Sequence, residues 1–122
     1  MDELIARLVA NVGVDRATAE KAVGIILDFL SKEGPPDKVQ TLIDKMPGAR
    51  ARLQAEQASG SGGGMFSMGG IMGAGTRMMS AGLSMGQVQS VTKEVIAFSR
   101  EKVGEEAIGE IVGAIPGLSQ FV

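Results

Sequence analysis

The sequence contains no cysteine and no histidine, and its 122 residues include only four aromatic side chains, all of them phenylalanine. Without cysteine there is no disulfide framework and no thiol chemistry. Without histidine the chain lacks the commonest general base and the commonest metal ligand. A core with so few rings must be packed from aliphatic side chains and methionine, which favours closely packed helices over a twisted sheet.

An excess of charge of either sign is also missing. The formal net charge is −2, and both signs are interleaved, so no basic stripe is available to neutralise a phosphate backbone and we expect no nucleic-acid partner. The chain starts with the acidic, amphipathic run MDELIARL, unlike a secretory signal, which predicts a cytoplasmic protein. The apolar segment 65–86 contains Arg77 and many glycines, so we expect no membrane span.

Apolar residues at helical spacing predict three helices in the first half of the chain. They cover residues 2–12, roughly 16–32 and about 36–46, and a short helical tail is predicted for 49–55. Asp15 is placed to cap the second helix. The predicted buried positions are Leu4, Ile5, Leu8, Val9 and Val12 in the first helix, Ala19, Ala22, Val23, Ile26, Leu27, Phe29 and Leu30 in the second, and Val39, Leu42, Ile43 and Met46 in the third.

A shift of 69 residues aligns the second half of the chain with the first without a gap. Gly13-Val14 falls on Gly82-Leu83, the cap Asp15 falls on Ser84, and Pro47-Gly48 falls on Pro116-Gly117. Ser84 has Gln87 three residues later, which is a capping-box pattern. At this shift the capping residues and the terminating turns of the two halves coincide, and so do their apolar positions. A chance match between two amphipathic helices would not align the caps and turns. The second half is therefore predicted to contain helices of about 71–81, 85–102 and 105–115.

These observations predict one all-α domain over residues 1–122. It consists of two pseudo-symmetric three-helix units packed as one helical bundle, with repeat one over 1–56 and repeat two over 65–122. The run ASGSGGG, which begins at Ala58, is typical of a flexible linker, and a Gly/Ser linker is assigned to residues 57–64.

Two turns and one helix of the first half match a known pattern. The turns are the hydrophobic-Gly-hydrophobic step Val12-Gly13-Val14 and the step Met46-Pro47-Gly48-Ala49, and between them lies the Ala-rich helix ATAEKAVGIILDFL. In these features the chain resembles small bacterial proteins of unknown function, the VcgC/VcgE-type family. The match covers most of the chain, but its motifs are caps and turns. The resemblance therefore implies the helical fold and carries no catalytic residue across.

Six of the eight methionines lie between residues 65 and 85, in a glycine-rich segment whose one charge is Arg77. Three interpretations remain open: core filling by a flexible side chain, an adaptable surface for a partner, or a pocket for an apolar ligand. Glycines such as Gly73 and Gly75 offer close approach of two backbones. The candidate interface or apolar-ligand residues are Met65, Phe66, Met68, Ile71, Met72, Met78 and Met79.

The charged residues give no catalytic set. Asp2-Glu3 and Glu105-Glu106 stand at predicted helix starts, where acids stabilise the helix dipole. Arg50 and Arg52 follow a turn and form a very small basic spot. A solvated face with i,i+4 pairing is predicted for Glu20, Lys21, Asp28 and Lys32.

The sequence therefore favours a non-enzymatic helical protein with no cofactor and no metal. Its predicted role is a protein-interaction or self-association module, with a homodimer or another protein as the partner. The alternative is a carrier of an apolar small molecule or lipid in a pocket lined by methionine and glycine.

Overall fold

The computed structural model describes residues 2–46, 48–58, 70–115 and 118, and it describes residues 56–58 and 70–72 by their backbone alone. This part of the chain is helical and contains no strand, which confirms the predicted all-α class. Its helices are α1 (Asp2–Val12), α2 (Arg16–Glu33), α3 (Pro36–Lys45), α4 (Ala49–Ala58), α5 (Gly70–Ser80), α6 (Met85–Val103) and α7 (Glu105–Ala114).

The long helices begin at residues that satisfy the first backbone N–H groups. The carboxylate of Asp15 accepts a hydrogen bond from the backbone N–H of Thr18 at 3.0 Å and so caps α2. At the start of α6, Ser84 and Gln87 form a capping box in which each side chain accepts from the other residue's backbone N–H, at 3.3 and 2.9 Å. Both caps lie where the sequence predicts them.

Helix α2 lies at the centre of the molecule, and all of residues 22–30 are buried. This follows from its surroundings, because α1, α3, α4, α5 and α6 all pack against it. The predicted buried positions of α2 and α3 are confirmed throughout. In α1 the prediction is wrong at Val9, which is 39% exposed, because α1 turns Leu4, Ile5 and Leu8 toward the core instead.

Helices of the two halves recur at the offset that the sequence suggested. The starts of α2 and α6, at Arg16 and Met85, are 69 residues apart, and so are the starts of α3 and α7. The turns before α2 and α6 contain Gly13 and Gly82 with φ of 86° and 110°, a conformation that favours glycine. Among the described residues, α4 has no matching helix in the second half.

The two halves pack in a crossed arrangement. Helix α1 packs against α6 of the other half, and α5 packs against α2 of the first half. Between them, α2 meets α6 and α3 meets α7. The first helix of each half therefore packs against the second helix of the other half.

The connection between the halves is only partly described. Helix α4 runs to Ala58, so the first two residues of the predicted linker 57–64 are helical. The remainder of that linker and the predicted turn Pro116-Gly117 lie outside the described residues.

Candidate functional site

An apolar cavity of about 40 Å³ lies where α2, α5 and α6 meet. Residues of α2, α5 and α6 line it, together with Leu118. The lining residues are Ile26, Phe29, Leu30, Ala74, Gly75, Met78, Val88, Thr92, Ile96 and Leu118.

Helix α5 brings three small or flexible residues to this cavity through its helical spacing. Ala74, Gly75 and Met78 lie within one turn and share a face. Glycine costs a helix about 0.5–1 kcal/mol per residue relative to alanine, so the sequence of α5 is a poor helix former by itself. Ala74 and Met78 are 5% and 2% exposed, and their burial against α2 and α6 holds the helix in place.

The cavity approaches the surface at Gly75. The other lining residues are buried, whereas Gly75 is half-buried. A Cβ atom added at Gly75 would meet nothing within 4 Å. The expected close approach of backbones is therefore wrong at Gly75, because this glycine leaves space instead of letting two backbones meet.

The side chains that line the cavity offer no free hydrogen-bond donor. The one side-chain hydrogen-bond donor in the lining is the Thr92 hydroxyl, which donates to the backbone carbonyl of Val88 at 2.8 Å. That bond stays inside α6 and uses the only donor of the hydroxyl. The space therefore suits an apolar group.

A buried ion pair joins α5 to α2 within one turn of the cavity wall. The guanidinium of Arg77 donates to Oδ2 of Asp28 at 2.9 Å, and the ammonium of Lys32 lies 3.1 Å from the same oxygen. Oδ1 of Asp28 accepts no hydrogen bond from the described residues. The i,i+4 pairing of Asp28 with Lys32 is confirmed, but its placement on a solvated face is wrong. The Asp28 side chain is 1% exposed because α5 covers it.

Two opposing effects set the pKa of Asp28. Burial raises the pKa of this carboxyl, while hydrogen bonds from Arg77 and Lys32 lower it, and the result lies below the ordinary aspartate value. Asp28 is therefore a carboxylate at neutral pH. Its role is to hold α5 against α2, since its charge is matched by two cations.

The predicted contact residues do not all lie at the cavity. Met78 lies in the cavity wall, whereas Met79, the next residue of α5, is 48% exposed. Ile71 and Met72 belong to α5, but their side chains lie outside the description, as do Met65, Phe66 and Met68 altogether. The cavity residues of α2 were predicted only as core positions, because no pattern along one helix shows a gap between three helices.

The two arginines of the predicted basic spot each form an ion pair. Glu20 lies 3.0 Å from Arg52 and 3.3 Å from Arg16, and Arg50 pairs with Asp44. The predicted basic spot at Arg50 and Arg52 is therefore wrong, since an acid neutralises each of them.

The acids predicted at helix starts do lie in the first turns of α1 and α7. Within the described ranges, no three carboxylates converge where they could hold a metal ion. In the same ranges no helix combines the length and the apolar character needed to cross a membrane. Comparison of the chain with protein-family models, with curated proteins and with solved structures finds no match.

Proposed function

We propose that this chain is a non-enzymatic helical interaction module, which anchors an apolar side chain of a protein partner in the cavity between α2, α5 and α6. The observation that carries the proposal is the cavity itself. It is apolar, it has a volume of about 40 Å³, and it approaches the surface at a glycine. In many protein interfaces a few side chains seated in well-packed, desolvated pockets carry most of the binding energy.

The size of the cavity favours a partner's side chain over a free ligand. Its volume holds about three water-sized groups. The best small ligands gain at most about 1.5 kcal/mol per non-hydrogen atom, so three atoms reach about 4.5 kcal/mol, or a Kd of about 0.5 mM. A binding free energy of this size is sufficient for one anchoring side chain, because the rest of the interface adds its own contacts. The cavity therefore suits a methyl, isopropyl or thioether group carried by a protein.

The charge distribution supports a non-enzymatic role. Catalysis needs polar groups that converge on a cleft. Here the cavity wall is apolar, and the nearby carboxylate of Asp28 is held by Arg77 and Lys32. No described residue combines exposure in this cleft with a nucleophilic or basic group.

A cavity-filling substitution with a matched control tests the proposal. Gly75→Leu places a side chain at the cavity. The control Gly109→Leu adds the same side chain to α7, away from the cavity, at a glycine that is equally free of contacts. Xenon is a suitable probe, because it enters small dry cavities. Under xenon pressure, methyl resonances of Met78, Ile96 and Leu118 should shift in the wild type and in Gly109→Leu, but not in Gly75→Leu.

The same pair of variants identifies the partner's contact. A protein captured by the wild type should also be captured by Gly109→Leu and lost with Gly75→Leu. Capture of that protein by Gly75→Leu would show that the cavity is not its anchor site. Absence of xenon shifts in the wild type would contradict the cavity's accessibility.

The second candidate function is a carrier of an apolar small molecule or lipid. The observation that favours it is Met78, a wall residue whose unbranched side chain is flexible and adapts to irregular space. Native mass spectrometry of the protein from its host discriminates the two functions. A co-purifying apolar mass supports the carrier, and a clean protein mass supports the interaction module.

We also infer that the chain consists of two copies of one three-helix unit, and that the module self-associates. The equal offsets of the helices, the matching caps and the crossed packing support the duplication. Met79 and Met85, which are 48% and 65% exposed, support self-association. The kinship with the VcgC/VcgE-type family stays a proposal that rests on the turns at Gly13 and Gly48.

A further inference from the structure

The interface between the two halves is built from matching parts. The first helix of each half packs on the second helix of the other half, as α1 does on α6 and α5 on α2. The helices that meet at the middle, α2 with α6 and α3 with α7, occupy equivalent positions in their halves. This is the pattern of an isologous interface, in which both sides contribute the same elements.

Charged pairs repeat the same crossing. On α1, the guanidinium of Arg7 donates two hydrogen bonds, at 2.8 and 3.0 Å, to the carboxylate of Glu101 on α6. On α5, Arg77 donates to Asp28 of α2 at 2.9 Å. In both places an arginine of a first helix binds an acid on the second helix of the other half, so each pair joins the two halves.

From this arrangement we propose that a second copy of the chain is a partner, bound by reciprocal exchange of halves. Helices α1–α4 of one copy pack on α5–α7 of the other, and the remaining halves pack in the same way. Every contact between the described helices of the two halves is then kept. Such exchange is a low-cost route to a dimer. This proposal rests on the proposed self-association and specifies how the two copies bind each other.

The second copy is the one partner that carries the complement of both surfaces. The two arginines lie in different halves, and so do the two acids, because Arg7 and Asp28 belong to the first half and Arg77 and Glu101 to the second. The exchange therefore remakes both pairs at once. A pair of charge reversals placed on two separate chains makes use of this geometry.

The test uses Asp28→Arg in one full-length chain and Arg77→Asp in another. Each variant alone brings two like charges together at a buried site. This lowers the stability of its closed monomer and of its own exchanged dimer. In a mixed dimer, the arginine introduced at position 28 meets the aspartate introduced at position 77. The other interface pairs the native Asp28 with the native Arg77. Only the mixed dimer has both interfaces matched.

The two variants are unfolded together in urea, refolded as an equimolar mixture and analysed by native mass spectrometry with one chain isotopically labelled. We expect the mixed dimer to exceed either homodimer by about tenfold or more, the shift that corresponds to about 1.4 kcal/mol. The chain that carries both substitutions has its pair restored internally and should refold as a monomer, with lower stability than the wild type because Lys32 then lies beside an arginine.

The exposed pair keeps the test decisive where the buried reversals prevent folding. Arg7→Glu and Glu101→Arg change side chains that are 29% and 54% exposed, so we expect each chain to fold. The mixture of these two chains should also enrich the mixed dimer. Mixtures of both sets without a mixed dimer would overturn the proposal, while xenon binding in the cavity would still decide the anchor function separately.

Discussion

Asp28 of α2 and Arg77 of α5 form a salt bridge of 2.9 Å, and their side chains are 1% and 19% exposed. Arg77 is the one charge between Gln57 and Thr92 in the sequence, and Asp28 is the one charge among the fully buried residues of α2. The pair ties the glycine-rich helix α5, a poor helix former, to the centre of the molecule. The wall of the cavity therefore depends on a single electrostatic contact as well as on packing.

Removal of the arginine should be costly. Breaking a buried pair by removing one partner costs about 3–5 kcal/mol, and because Lys32 stays with Asp28, we expect Arg77→Met to lose about 2–4 kcal/mol. Urea unfolding followed by circular dichroism measures this. The matched control is Arg50→Met, which breaks the exposed pair with Asp44 and should cost less than about 1 kcal/mol. Equal losses in the two variants would contradict a buried role for Arg77.

Replacement of both partners should recover much of the loss. Buried pairs replaced by apolar residues of similar volume are often neutral in stability. The double variant Asp28→Leu with Arg77→Met should therefore be more stable than Arg77→Met alone. A double variant less stable than that single one would show that the pair contributes geometry that packing does not replace.

The same carboxylate predicts the behaviour of the protein in acid. The folded-state pKa of Asp28 is lowered by Arg77 and Lys32 against the opposing effect of burial, while the unfolded value is about 3.9. A lowered folded pKa contributes stability above the unfolded pKa, and that contribution is lost as the pH falls through the folded pKa. The free energy of unfolding should therefore decrease below about pH 4, and Asp28→Asn should show a smaller decrease over the same range.

A suitable control for this titration is Glu101→Gln. The pKa of Glu101 is also lowered, chiefly by its hydrogen bond from Arg7, but its side chain is exposed. Its replacement should change the acid dependence less than Asp28→Asn does. A larger change with Glu101→Gln would place the acid sensitivity on the surface instead of the buried pair.

The sequence allowed prediction of those features that depend on neighbours along the chain. The caps at Asp15 and Ser84 are local, because a side chain three residues away from a backbone N–H binds it without help from the rest of the fold. The positions of the helices followed from the caps and the apolar spacing, and α5 begins one residue before its predicted start.

Features that depend on several helices were not predictable in the same way. Asp28 was assigned to the solvated face because Lys32 lies four residues later, and only the packing of α5 on α2 buries it. The partners of Arg52 and Arg50 come from α2 and α3, so a pattern within α4 could not show them. The lone charge of Arg77 in an apolar segment was the available signal, because a charge carried into a core needs a partner.

Two glycines should respond in opposite ways to alanine. A Cβ at Gly75 meets nothing within 4 Å, so Gly75→Ala should stabilise the protein by about 0.5–1 kcal/mol through helix propensity. A Cβ at Gly34 would lie 2.8 Å from the carbonyl oxygen of Leu30 and 3.1 Å from Val39, so Gly34→Ala should destabilise by about 1–3 kcal/mol. Thermal unfolding compares the two. Gly109→Ala in α7, which is also free of contacts, should match Gly75→Ala; destabilisation by Gly75→Ala alone would show that α5 is packed more closely than the cavity implies.

The cap of α6 gives a prediction that isolates local from tertiary stability. Ser84 accepts the backbone N–H of Gln87 and Gln87 accepts that of Ser84, so Ser84→Ala removes one bond and leaves an N–H of the first turn without its acceptor. The expected loss is about 1 kcal/mol, while Ser84→Asp should keep the stability, since aspartate caps equally well and stands at the equivalent position in front of α2. Hydrogen exchange should show faster opening of the first turn of α6 in Ser84→Ala only, because the buried residues from Val88 onward anchor the rest of the helix.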